Sequence, residues 1–409
     1  MLIKASSHPI YLINNLDHIE QILVRDHKNF TKGTGYQRAK VILGNGILSS
    51  DGDFHDSQRK MISPAFHKSR VKAYSEIVDK CTKEMIDNWS VHLQDNNIFE
   101  MHKEMTKLFI AIICRSLFSI DADNEIIKAG ELFSELFHGA NPFLLLNPQA
   151  VLKLPIPYVK KFNKAKREFD ELIKAIIKKR RNEFTEENLD ILNMVMNAKD
   201  TDGSVMTDDA LFDEVMTLII AANDTSAKVM TWALYLLTQN EDKRLIAGEE
   251  VTKTLNGKFP GFDDYEKLPY IKMIINEAMR LYPPVWMILR TPINDFYLDD
   301  YFIRKDSSIF IVPYIFQRDS RYYENPDAFI PERWTDEERR KRPRMSYIPF
   351  GAGPRICVGE TFSTYHMVVI MSAILQKFNL KLHPDQKIKL SSSITLKPKY
   401  GLRLILEKK

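Results

Sequence analysis

A chain of 409 residues with 44% apolar and 27% charged side chains has the composition of an ordinary soluble globular protein with ample core, in one large domain or two or three average ones. Its formal net charge of +4 is too small to argue for nucleic acid, and Cys81, Cys114 and Cys357 form neither a CxxC pair nor an even disulfide framework, which favours a reducing compartment. No run approaches the ~18 apolar residues of a membrane span and no signal-peptide pattern opens the chain, so the sequence as written reads as cytoplasmic.

Residues 9–13 read as a short strand and 17–24 as a helix. A turn-rich run at 44–50 then leads to His55 and Arg59, four apart and so on one helix face, a pattern that many solvated helices share. Helical periodicity covers 74–89 and 102–118. An apolar, proline-broken connection at 141–157 precedes a long helix at 158–184, whose basic end (Lys178, Lys179, Arg180, Arg181) suits the helix dipole. With no internal repeat, low-complexity tract or clear linker, 1–409 is expected to form one domain.

A second long helix is predicted over 211–239. Asp224 and Thr225 lie at its apolar centre, where unpaired polar groups are costly, although a threonine there can also back-bond to the preceding turn and bend the helix. Glu277 and Arg280 stand three apart on a helix face, ahead of Leu281-Tyr282-Pro283-Pro284 and the later Pro331-Glu332-Arg333-Trp334. Short β-prone runs follow at 285–291, 296–302 and 308–312, and residues 391–396 and 400–406 read as a terminal hairpin.

Before the last predicted helix, 360–377, comes Phe350-Gly351-Ala352-Gly353-Pro354-Arg355-Ile356-Cys357-Val358-Gly359. Glycines allow close approach to a flat ligand, and a cysteine at a helix N-terminus meets free N–H groups that favour thiolate. A thiolate in a rigid loop, two residues from an arginine, suits an axial ligand of haem iron; a structural cysteine in a Gly-rich turn is the plainer alternative.

The pattern F-x-x-G-x-R-x-C-x-G, joined to E-x-x-R and the Asp-Thr pair, resembles the cytochrome P450 family from about residue 8 to the C-terminus. The resemblance implies a mainly α fold with a smaller β region and a monooxygenase that uses dioxygen. The cofactor would be haem b, with Cys357 as the iron ligand, Phe350 in the ligand loop, and His55, Arg59, Arg290 and Arg355 meeting the propionates. Asp224 and Thr225 would be the catalytic acid–alcohol pair that delivers protons. Glu277, Arg280 and Arg333 would form a buried structural triad. Leu218, Ala221, Val285, Trp286, Met287, Ile288 and Ile394 would line a pocket for a small hydrophobic substrate such as a fatty acid, terpenoid or steroid.

Electrons would come from a separate ferredoxin, flavodoxin or flavoprotein reductase docking near Lys60, Lys341, Arg342 and Arg344, and a monomer is expected. A peroxygenase, an isomerase or dehydratase, and a non-enzymatic haem sensor are the alternatives; the Asp224–Thr225 pair counts against the isomerase. The chain departs from the family at Ala222, where glycine is common, and at Gln317, where histidine is usual. Family members also begin earlier, so part of the usual N-terminus is expected to be missing. Membrane association would follow if an anchor belonged to that part.

Overall fold

Long apolar and amphipathic segments give the molecule its helical body. The computed structural model describes residues 2–5, 8–94, 97–119, 148–182, 190–392 and 394–409, with Lys128 and Leu132 between them. In chain order the elements that matter here begin with strands β1 (Leu2–Ala5) and β2 (His8–Ile13), helix α1 (Leu16–Glu20), β3 (Phe30–Thr31), α2 (Thr34–Leu43), α3 (Gly52–Ile62) and α4 (Lys68–His92). Next come β4 (Ile98–Glu100), α5 (Met101–Phe118), α6 (Pro157–Asn182), α7 (Ile191–Asn197), α8 (Asp208–Gln239), α9 (Glu241–Leu255) and α10 (Pro269–Leu281). The last third carries β5 (Ile288–Pro292), β6 (Phe296–Leu298), β7 (Tyr301–Ile303), β8 (Ser308–Ile311), α11 (Glu360–Lys377), β9 (Phe378–Leu382), β10 (Leu390–Ser392), β11 (Leu396–Pro398) and β12 (Arg403–Lys408).

Helix α8 is the axis of this arrangement. Thr207 caps its start by accepting from Ala210 N at 3.2 Å, and Asp208 and Asp209 complement the dipole in its first turn. Its apolar surface packs along α5 and borders α6, α9, α10 and α11, so most of its side chains are buried. Helix α11 is likewise buried over most of its length. A helix apolar on nearly every side must sit inside a protein rather than on it.

The β region stands to one side. A five-stranded sheet runs in the order β1-β2-β8-β5-β3, with β2 and β8 parallel and the other neighbours antiparallel. A second core, including Ile19, Ile22, Ile309, Ile311 and Phe316, fills the space beneath it.

Several expectations need correction. Residues 17–24 are not one α-helix: α1 passes at Gln21–Arg25 into a π-helical turn, closed by Asp26 N on Gln21 O at 2.8 Å. Residues 296–302 form a hairpin rather than one strand, because Asp299, with φ 51°, turns the chain between β6 and β7. The two C-terminal runs do not pair with each other. β10 pairs with β11, whereas β12 lies between β9 and β4, where Leu404 and Leu406 reach the main core. Gly401, with φ 70°, redirects the chain between those two destinations. Of the connection at 141–157, residues 141–147 lie outside the described residues, and so do the last two of the predicted helix at 158–184.

Candidate active site

The loop before α11 is built on its glycines. Gly351 and Gly353 have φ of 80° and 70°, and a Cβ on Gly353 would stand 2.1 Å from the carbonyl oxygen of Leu23 in the π-helical turn. Cys357 N donates to Phe350 O at 2.9 Å, so Phe350 closes the loop around the cysteine. Cys357 is exposed as a residue, yet desolvation by the surrounding protein raises the pKa of its thiol above the usual value. The Gly359 N–H and the charges of Arg59 and Lys32 pull the other way but do not prevail. Burial thus opposes the pull of the loop's N–H group and of the nearby cations on this thiol.

Cations converge beside this thiol. Arg59 on α3 donates to Ile356 O at 2.5 Å and lies in the field of Cys357. Arg355 donates to Ser50 O at 2.9 Å and to Asp51 Oδ1 at 2.8 Å. Arg290 on β5 is buried, and desolvation with the repulsion of Arg355 lowers its pKa to about 10. Lys32, buried against the Tyr36 ring and bonded to Leu48 O, is pushed well below the usual lysine value by desolvation and by Arg355, Arg290 and Arg59. Against these four cations the carboxylates in range are Asp51 and the largely exposed Asp56. His55 is buried on α3, its Nδ1 3.0 Å from Asp56, and burial lowers its pKa to about 4. Positive charge at this density, out of water, calls for an anionic ligand.

Opposing elements meet at the middle of α8. Thr225 Oγ1 donates to Ala221 O at 2.8 Å, and the helix is α throughout, with no widened turn at Ala222. Asp224 accepts from Lys228 on the next turn and from Thr395 Oγ1 at 2.7 Å. The turn carrying Ile394 and Thr395 is fixed in turn by Leu396 N, which donates to Pro284 O at 3.1 Å. Leu218 and Ala221 of α8, the 285–288 segment and Ile394 are thereby brought to neighbouring elements. Leu218 is buried, Ala221, Trp286, Met287 and Ile288 are half-buried, and Val285 and Ile394 are exposed.

The buried charges at Glu277 are brought together as well. Both Glu277 and Arg280 are fully buried, joined at 2.7 and 2.8 Å, and Arg333 Nε stands 3.3 Å from Glu277, near enough to ion-pair but not aligned to hydrogen-bond. Arg280 also donates to the carbonyls of Gln317, Pro326 and Ala328, which uses all five of its N–H groups. Gln317, the departure from histidine, binds the carbonyls of Met279 and Arg280 and accepts from Ile348 N.

The model of the family described as "Cytochrome P450" matches residues 1–405. The chain belongs to the cytochrome P450 family. Cyclooctatin synthase of Streptomyces melanosporofaciens is 30% identical over 95% of this chain and 84% of its own length. Pentalenene oxygenase of Streptomyces avermitilis is 26% identical over 95% and 85%, and the chloroplastic carotene epsilon-monooxygenase of Arabidopsis thaliana 27% over 94% and 75%. The solved haem domain of cytochrome P450DA superposes with a TM-score of 0.87 over 100% of this chain and 88% of that one, at 23% identity.

This P450 is therefore a monooxygenase for a hydrophobic substrate, with the family's mainly α fold and its haem. Its residues fit that group: an accessible thiol in a glycine loop matches the iron, and the unbalanced cations match two propionates. Sequence reasoning missed Lys32, Tyr36, Lys228 and Thr395. Lys228 alone left a signal, since it falls four residues after Asp224 within a buried helix. Among the described residues, no helix is long and apolar enough to cross a membrane.

Proposed function

We propose that this P450, as one catalytic domain, binds haem b through Cys357 and hydroxylates or epoxidises a terpenoid-like substrate, with electrons from a separate protein. The observation that carries the reading is the gathering of Lys32, Arg59, Arg290 and Arg355 in one another's fields beside the Cys357 loop. When bound, the haem supplies a thiolate-ligated iron that activates dioxygen and favours O–O cleavage.

The chain's own groups then have distinct tasks. Phe350 and the glycines set the thiol's position. Arg59, Arg290 and Arg355, with Lys32 and His55 beside them, neutralise the propionates through charge-assisted hydrogen bonds. Glu277, Arg280 and Arg333 hold the elements beneath the loop. Leu218, Ala221, Val285, Trp286, Met287, Ile288 and Ile394 enclose an apolar molecule and exclude water, while Asp224 and Thr225 hold the protons for delivery. The terpenoid class is supported by the relatives that act on such compounds, the cyclooctatin, pentalenene and carotene enzymes, and by the apolar character of these pocket positions.

A ferredoxin, flavodoxin or flavoprotein reductase fits as the electron donor, and the working form is a monomer. Lys60, Lys341 and Arg344 are exposed for docking, although Lys341 already bridges Glu337 and Glu338. The test is the reduced, carbon monoxide-bound spectrum of wild type and Cys357→Ala. A thiolate-type Soret band in the wild type that Cys357→Ala loses is expected, and a band retained by the variant overturns the assignment. Ferric-spectrum titrations with cyclic terpene hydrocarbons should give saturable shifts at lower concentrations than fatty acids; the reverse order rejects the substrate class.

A further inference from the structure

Asp224 is held in a closed ring of three side chains. Lys228, one turn further along α8, has only 3% of its side chain exposed and places its ammonium 2.5 Å from both carboxylate oxygens. It also donates to Thr395 Oγ1, and that hydroxyl passes its own proton on to Asp224 Oδ2 at 2.7 Å. Thr395 comes from the turn between β10 and β11, one residue after Ile394. The ring therefore ties the middle of α8 to a turn that lines the proposed pocket.

A lysine this deep in a protein is costly unless a counter-charge meets it. Asp224 supplies that charge only as a carboxylate, because its protonation would strand the ammonium. Among the described residues, the other charged and titratable groups in the field of Lys228 are His102 of α5 and Lys397 of β11, and Glu100 at the β4–α5 junction lies in the field of His102. The ammonium itself is bonded to Asp224 and Thr395. Desolvation lowers the pKa of Lys228 and Asp224 opposes that shift, as a mutually dependent pair requires.

We propose that Lys228 is a positioning residue for proton delivery, holding Asp224 ionised and, through Thr395, locking it to the pocket turn that carries Ile394. This rests on the monooxygenase reading above. It goes further by assigning the aim and charge of the acid to a lysine on the same helix and to a hydroxyl from the far end of the chain.

The test compares haem-loaded wild type with K228M, K228R, T395V and K228M/D224N. Removing the ammonium takes away the one cation bonded to both oxygens of Asp224, so infrared difference spectra of K228M against wild type should gain a protonated-carboxyl band at neutral pH that K228M/D224N lacks. Product formed per reduced nicotinamide should fall about ten-fold in K228M, less than the ~10²–10⁴ that a proton-transferring group itself is worth, because Lys228 acts through Asp224. In K228M that yield should drop further as pH falls, and K228R should restore the wild-type pH profile. T395V should shift the profile in the same direction by less.

A K228M protein with no carboxyl band and a wild-type pH profile overturns the proposal. If K228M does not fold, an unchanged profile in T395V overturns it. Failure of the monooxygenase reading looks different: wild type then gives neither a thiolate-type carbon monoxide band nor product, while the infrared comparison still reports on the ring.

Discussion

Glu277→Gln tests the buried charge centre without changing its shape. Glu277 Oε1 accepts from Arg280 Nη2 at 2.7 Å and Ile330 N at 3.0 Å, and Oε2 accepts from Arg280 Nε at 2.8 Å and Trp334 Nε1 at 3.0 Å. Whichever way a glutamine is turned, its NH₂ faces two of these donors and can accept from neither. Each orphaned buried donor costs about 1–3 kcal/mol. The substitution also leaves the guanidinium groups of Arg280 and Arg333 without their shared anion. Breaking a buried pair in this way costs about 3–5 kcal/mol, a large share of the ~5–15 kcal/mol by which folded proteins are stable.

The assay is urea unfolding of the haem-loaded protein, followed by far-ultraviolet circular dichroism and by haem absorbance. Glu407→Gln is the control: its partner Lys381 is 2.7 Å away across β9 and β12, but both side chains are well exposed. Such a surface pair is worth about 0–1 kcal/mol. A Glu277→Gln loss no larger than that of the control would refute the reasoning, because the burial of the charges would then carry no energetic weight.

Gly353→Ala should lose haem and stability together, since φ of 70° and a Cβ 2.1 Å from Leu23 O leave no room; Gly203→Ala, at φ 82° with open space around it, should show the conformational strain alone, roughly 1–3 kcal/mol. Glu214, fully buried with Oε2 accepting from Ile47 N, has its pKa raised by burial to about 8 from an ordinary 4.5. Between those values the folded protein binds the extra proton, so stability should fall as pH rises across that window, by up to ~1.4 kcal/mol per unit, and Glu214→Gln should remove the slope in urea titrations. Thr225→Ala removes only a hydroxyl that bonds its own helix, so haem retention and substrate affinity should persist while product per reductant falls and peroxide appears. Lost stability with normal coupling would instead make Thr225 a helix-bending residue.

The helices were legible as long apolar segments, as in α5, α8 and α11, whose observed spans, Met101–Phe118, Asp208–Gln239 and Glu360–Lys377, lie within three residues of the predicted ones. The triad was legible through a local motif, E-x-x-R, which placed Glu277 and Arg280 on one face before any fold was known. What failed was strand pairing. Nothing local distinguishes a run that closes on its neighbour, as β10 does on β11, from one that crosses to β9 and β4, as β12 does. The π-helical turn at Gln21–Arg25 was equally hidden, because its counterpart is Gly353, far along the chain.

The same limit applies to charge. A net charge of +4 describes a nearly balanced chain, yet the fold gathers Lys32, Arg59, Arg290 and Arg355 in one another's fields. These residues come from the approach to α2, from α3, from β5 and from the cysteine loop, and no spacing rule links them. The local excess is created by topology and becomes favourable only when an anion fills it. At Asp224 topology acts in the opposite sense, because Lys228 and Thr395 already meet the carboxylate. One region of the site is thus left short of negative charge and the other is internally neutral. That contrast is what the proposed anionic ligand at the one place and the proposed proton-delivering carboxylate at the other require.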